Sequence, residues 1–117
     1  MWIFLNDAFI SAVQHRDEPN TLVVRARRRE DLERTFPGAP ISVSETSDYR
    51  YRVFVSKLQF AGVIAEKIAG INYPNFKNSV AEHDRHDHYA RVWGVMHGFQ
   101  ERPKRRIRDR EPSGIPG

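Results

Sequence analysis

The sequence predicts an α+β domain of two layers, in which an antiparallel sheet of three to five strands carries two main helices on one face. Two observations indicate this fold. Short segments with alternating apolar side chains are separated by polar turns, which is typical of strands covered on one side only. Longer segments with apolar residues at helical spacing follow them. A chain of 117 residues has the length of one such domain.

The strands are predicted from alternation and from the turns between them. Residues 2–5 are apolar, and alternation follows over 8–15, 21–28 and, most clearly, 48–55, with a brief edge strand over 41–45. Successive side chains of a strand point to opposite faces. We expect the helices to cover one face of the sheet and to leave the other open. The covered face is predicted to contain Leu22, Val24, Ala26, Tyr49, Tyr51, Val53 and Val55.

Three helices are predicted, one short and two long. The short one covers residues 29–36 and ends before a Pro-Gly pair. Each long helix is predicted to begin with a capping box, at Ser56 and at Ser79, because Gln or Glu follows three residues later. The second long helix carries an apolar stripe that we expect to be core, or alternatively a dimer surface. This stripe contains Tyr89, Val92, Trp93, Met96 and Phe99.

The composition excludes several classes of function. Cysteine is absent, which excludes disulfides, thiol catalysis and zinc sites with sulfur ligands. The sequence has neither an apolar run long enough for a membrane span nor the features of a signal peptide, so we expect a cytoplasmic protein with no membrane partner. It also lacks a P-loop, a dinucleotide fingerprint and a nucleophile elbow, and no cofactor is expected.

The net charge of +4 resides in the last residues of the sequence. Residues 1–101 contain 13 Lys and Arg against 13 Asp and Glu, whereas residues 102–117 contain six against two. We expect residues 1–101 to form a single domain and 102–117 to form a basic, flexible tail. The tail residues predicted to contact nucleic acid are Lys104, Arg105, Arg106, Arg108 and Arg110. The alternative is a solvated end without a partner.

The open face of the predicted sheet is basic. Alternation places four arginines on it, with Val23 and Phe54 among them. Guanidinium groups suit phosphates and an aromatic ring suits a base, so this face is a candidate nucleic-acid interface. The alternative is a solvated face whose arginines pair with nearby acids. The four arginines are Arg25, Arg27, Arg50 and Arg52.

A histidine cluster opens the last helix. Its members lie three or four residues apart, as metal ligands on one helix face do. The cluster still needs a further ligand from elsewhere, and a polar helix start is the simpler interpretation, so no metal is expected. A histidine base at His86 with Lys77, Tyr73 or Tyr89 would suit RNA cleavage, although the sequence has no matching motif. The cluster contains His83, Asp84, His86, Asp87 and His88.

Several stretches resemble a group of small uncharacterised proteins of tailed bacteriophages, prophages and bacterial genomes. The resemblance covers about residues 1–100. It implies a phage or prophage accessory protein in the cytoplasm of a bacterial host, and it transfers no functional residue. The stretches are MWIFLNDAFISAVQHRD, LVVRARRREDLERTFPGA, DYRYRVFV, INYPNFKNSV and HDHYARVWGVMHGFQ.

These observations favour a non-enzymatic accessory protein that contacts nucleic acid, or a nucleoprotein complex, through the basic sheet face and the basic tail. Two alternatives stay open. One is a protein-binding inhibitor of a host or bacterial defence complex, similar in role to an anti-CRISPR protein. The other is a small nuclease that uses a histidine or a metal. A homodimer is compatible with each of them.

Overall fold

A computed structural model describes residues 1–101, so the predicted tail, 102–117, lies outside the described residues. The chain divides into two compact units. The first is Met1–Val80, and the second begins at Ala81. The first unit contains the whole sheet, and the second contains one long helix.

Five antiparallel strands form one sheet. The strands are β1 (Trp2–Leu5), β2 (Ala8–Gln14), β3 (Thr21–Ala26), β4 (Ser42–Val43) and β5 (Tyr51–Ser56). Their order in the sheet is β1-β2-β3-β5-β4.

The helices are α1 (Arg29–Thr35), α2 (Lys57–Ala69) and α3 (His83–Glu101), and a 3₁₀ turn covers Lys77–Ser79. Helices α1 and α2 pack on the sheet, so the α+β two-layer fold is confirmed. Helix α3 belongs to the second unit.

The core lies between the sheet and these two helices. Alternate residues of β2, β3 and β5 are buried in it, among them Ile10, Val24 and Val53. Leu32 of α1 packs with them, and Phe60 of α2 stacks on Phe36 with ring centroids 6.1 Å apart. Removing this apolar surface from water is the main stabilising contribution of the layer. Since the buried residues occupy alternate positions, the intervening ones lie on the face that α1 and α2 leave uncovered.

Of the two predicted capping boxes, the first is confirmed in the hydrogen bond of its serine side chain and the second is wrong. The Ser56 hydroxyl accepts a hydrogen bond from the backbone N–H of Gln59 at 3.0 Å, and α2 begins directly after it. Ser79 instead ends the 3₁₀ turn, where its hydroxyl donates to the carbonyl of Phe76. The next residue, Val80, is extended, and α3 begins only at His83.

The apolar stripe of α3 is not core. Of its five residues only Tyr89 is buried, and the other four are 38–60% exposed. Helical spacing predicts which side chains share a face, but it does not show whether another element packs on that face. Within the described residues, 1–101, no helix has the length and apolar character to cross a membrane.

Buried Asp31 joins the start of α1 to β2. Its Oδ2 accepts a hydrogen bond from the backbone N–H of Phe9 at 2.9 Å. Asp31→Ala leaves that N–H without its acceptor, and we expect it to lower the free energy of unfolding by about 1–3 kcal/mol. Asp31→Asn retains an acceptor and should cost less. Urea denaturation of both variants measures the difference, and equal stability of Asp31→Ala and the wild type would contradict the assignment.

Candidate nucleic-acid interface

The side of the sheet that α1 and α2 do not cover, which we call the open face, carries a row of polar residues with aromatic groups on either side. The row follows from the strand register. Trp2 lies opposite Ser11, Ser11 opposite Arg25, and Arg25 opposite Arg52, in four neighbouring strands. Val23 and Phe54 form the next cross-strand pair, as the alternation predicted.

Arg25 and Arg52, the arginine pair, are held in place by neutral groups. The Nη2 atom of Arg25 donates to the Ser11 hydroxyl at 2.9 Å, and Ser11 is itself buried. The Arg25 guanidinium also lies 4.7 Å from the centre of the Tyr49 ring. Arg52 donates through Nη2 to the carbonyl of Tyr49 at 3.3 Å. These contacts fix both side chains without neutralising either charge.

The arginine pair retains two buried donors without acceptors. Within residues 1–101, the Nε atoms of Arg25 and Arg52 are buried and have no hydrogen-bond partner, and neither side chain forms an ion pair. A buried donor without an acceptor costs about 1–3 kcal/mol. Like charges placed directly opposite each other on neighbouring strands add a further cost. An anion bound at the two guanidinium groups would offset the repulsion between their charges.

The other two predicted arginines are placed differently. Arg27 donates to Asp48 at 3.1 Å, and this hydrogen bond raises the pKa of Arg27 above its ordinary value. The Arg27 guanidinium lies 4.2 Å from the centre of the Tyr49 ring, the same ring that Arg25 contacts. Arg50 is exposed, precedes β5 and does not line the depression described below. The structure therefore brings together two of the four arginines as unneutralised charges.

Tyr49 corrects the predicted covered face. We expected its ring to lie under the helices, but it contacts Arg25 and Arg27 and is buried there. The reason is that β5 begins at Tyr51, so Tyr49 lies in the preceding bend, where strand alternation does not apply. The other six residues predicted for that face belong to the core or pack against it.

A depression of about 300 Å³ lies beside the arginine pair. Its apolar wall contains Val13, Val23 and Phe54, and Phe54 is half exposed. The ring of His15 meets Phe54 edge to face at 5.6 Å. The remaining lining residues are Gln14, Arg16 and Asp17, so one carboxylate lies at this site. The depression thus offers an aromatic surface next to three arginines, because Arg16 lines it together with the arginine pair.

His15 is oriented by the turn that follows β2. Its Nδ1 accepts hydrogen bonds from the backbone N–H groups of Asp17 and Glu18, at 3.1 and 3.2 Å. This pattern leaves Nε2 as the protonated ring nitrogen. Sequence analysis missed His15, Ser11 and Tyr49 as parts of the site. The alternation in β2 placed Ser11 on one face with Val13, but only the pairing of β2 with β3 brings it to Arg25.

The histidine cluster forms local pairs and no metal centre. His83 lies 3.6 Å from Asp87, and His88 lies 3.3 Å from Asp84, as the spacing of four residues predicted. Over the described part of the chain, no three His, Cys, Asp or Glu side chains converge in a way that could hold a metal. The residues considered for RNA cleavage are divided between the two units. Tyr73, which contacts Phe76, belongs to the first unit, and His86 belongs to the second.

Comparison with protein-family models, with curated proteins and with solved structures finds no match to this chain. The resemblance to a phage protein group therefore stays an expectation, and the function rests on the geometry of the open face.

Proposed function

We propose that this chain is a non-enzymatic binding protein that contacts nucleic acid through its open face. The observation that supports this most strongly is the arginine pair, whose two charges lie directly opposite each other beside the depression without an ion-pair partner among the described residues. Phosphate oxygens accept hydrogen bonds from guanidinium groups in a planar, two-point geometry. Phe54 lies in the adjacent depression, where a base can stack on its exposed ring.

The charge balance of the described residues supports a local site. Residues 1–101 are neutral in sum, so nucleic acid would be bound through placed charges more than through the overall field of the domain. Arg27 is already paired with Asp48, so among the described residues the charges that face the depression are those of Arg25, Arg52 and Arg16, with Asp17 as the one carboxylate. The tail residues would add attraction that carries no sequence information.

The test is a binding series with the full chain and labelled single- and double-stranded DNA and RNA at increasing salt. We expect the logarithm of the association constant to fall linearly with the logarithm of the salt concentration. Absence of binding to all four nucleic acids at low salt would overturn the proposal.

The contribution of the tail is tested in the same series. Replacing its five predicted contact residues, Lys104, Arg105, Arg106, Arg108 and Arg110, by glutamine removes phosphate contacts, and each contact contributes about 0.7 to the salt slope on a single strand. We expect a shallower slope and unchanged circular dichroism. An unchanged slope would show that the tail does not touch phosphates.

A second candidate is the protein-binding inhibitor of a host or defence complex, within the phage setting that the resemblance implies. The observation that favours it is the exposure of Trp93, Met96 and Phe99 on α3. Exposed clusters of large apolar residues commonly mark protein interfaces. Apolar contacts resist salt, so capture of a bacterial protein that persists at high salt and is lost in Trp93→Ala would favour this function.

A further inference from the structure

We propose that the nucleic acid bound by the open face is single-stranded, and that Trp2, Phe4 and Phe9 form a second stacking platform for its bases. We call these three residues the aromatic cluster. This inference rests on the proposed function and specifies its ligand. The strand would cross the sheet with one base on Phe54, its phosphates on the arginine pair, and another base on the aromatic cluster.

The aromatic cluster is formed by the β1–β2 hairpin. Phe4 lies directly opposite Phe9, and their ring centroids are 4.6 Å apart. The Trp2 ring meets the Phe9 ring edge to face, with centroids 6.3 Å apart, and Trp2 is 68% exposed. The backbone N–H of Ala12 donates to the carbonyl of Met1 at 2.8 Å, which holds this end of β1 on the sheet. A large exposed indole on an ordered strand has an open surface for stacking.

The cluster is continuous with the arginine pair. Trp2, Ser11, Arg25 and Arg52 are successive members of one cross-strand row. Neighbouring strands lie about 4.8 Å apart, so the backbones of Trp2 and Arg25 are separated by roughly 10 Å. Phe54 lies two residues along β5 from Arg52, which is about 7 Å. Aromatic groups therefore lie on both sides of a cationic centre, as a ligand with bases on either side of a phosphate requires.

The shape of this surface favours a single strand over a duplex. Paired bases in a duplex are stacked on one another and present only their edges, so an aromatic side chain cannot stack on them without unpairing. The major groove admits a helix or a two-stranded ribbon. The open face belongs to a sheet of five strands and fits neither description. Unpaired bases can reach both platforms, and stacking does not depend strongly on base identity.

The test compares Trp2→Ala with the control Trp93→Ala, both made in the full chain. The control removes the other tryptophan of the sequence, which is also exposed. The probes are a labelled oligothymidylate and the same strand paired with oligoadenylate. We expect Trp2→Ala to weaken single-strand binding about tenfold and to leave duplex binding unchanged. Trp93→Ala should change neither. In Trp93→Phe, Trp2 is the only tryptophan, and oligothymidylate should quench its fluorescence through stacking.

The outcomes separate this inference from the function on which it rests. Binding that requires Arg25 and Arg52 but leaves Trp2 fluorescence and the Trp2→Ala affinity unchanged would overturn the inference and retain the proposed function. Equal affinity for the duplex and the single strand would also overturn the inference and retain the proposed function. Absence of all nucleic-acid binding would overturn both. The inference would also be overturned if Trp2→Ala abolished self-association of the chain and left its oligonucleotide affinity unchanged. The aromatic cluster would then be a contact between two copies of the chain.

Discussion

Replacing Arg25 and Arg52 together by methionine is expected to weaken binding of a single-stranded oligonucleotide by about 100-fold or more. Hydrogen bonds to charged groups contribute about 1.5–3 kcal/mol each, and this variant removes such bonds from two side chains at once. Methionine fills most of the volume of the arginine stem, so the apolar packing of the stem is largely retained. Fluorescence anisotropy at constant salt measures the affinity.

Arg50→Met is the matched control, because it replaces an exposed arginine that does not line the depression. Loss of one diffuse surface charge should change the affinity by no more than a few-fold. If Arg50→Met weakens binding as much as Arg52→Met alone, net charge and not the placed pair determines affinity.

The variants Arg50→Met and Arg52→Met should also differ in their free energy of unfolding. Arg52→Met removes a like-charge neighbour and a buried donor without acceptor, so its free energy of unfolding should be unchanged or higher.

Phe54→Ala is the second change with a large expected effect. Loss of one base-stacking ring costs about 1–3 kcal/mol, which corresponds to roughly 5- to 150-fold in affinity. Phe54 is half exposed, so the substitution should leave the fold intact. Phe54→Trp should retain or strengthen binding, because it keeps an aromatic surface.

Leu58→Ala provides the control for this ring, because Leu58 is a large apolar residue on α2 with 84% of its surface exposed. It lies outside the depression, and its loss should leave the affinity unchanged. The account is contradicted if Phe54→Ala and Leu58→Ala bind the oligonucleotide equally well. Isothermal titration calorimetry with the same oligonucleotide compares the wild type with Phe54→Ala, Phe54→Trp and Leu58→Ala.

The sheet and half of the candidate interface could be predicted from alternation alone. Val23, Arg25, Arg52 and Phe54 lie in two regular strands, and a period of two residues assigns each of them to a face. Tyr49 and Arg50 fall just before β5, where the backbone bends and the period is lost. One strand boundary therefore moved a tyrosine from the predicted core to the arginine site.

The partners of the arginine pair could not be predicted, because they depend on contacts between distant segments. Ser11 reaches Arg25 only through the register of β2 on β3. The aromatic cluster depends in the same way on the pairing of Phe4 with Phe9. On α3 the spacing correctly placed histidines beside acids four residues away, since that relation is local to one helix. The exposure of Trp93 depends on what packs nearby, and the spacing holds no information about that.

The central claim is that the guanidinium groups of Arg25 and Arg52 bind an anion of the ligand. Arginine Nε–H resonances in nitrogen-15 correlation spectra report on it directly, with Arg25→Lys and Arg52→Lys used to assign the signals. As oligothymidylate is added to the full chain, the account predicts large shifts of the Arg25 and Arg52 signals and little change in that of Arg50. Unchanged Arg25 and Arg52 signals at saturating oligonucleotide would contradict it.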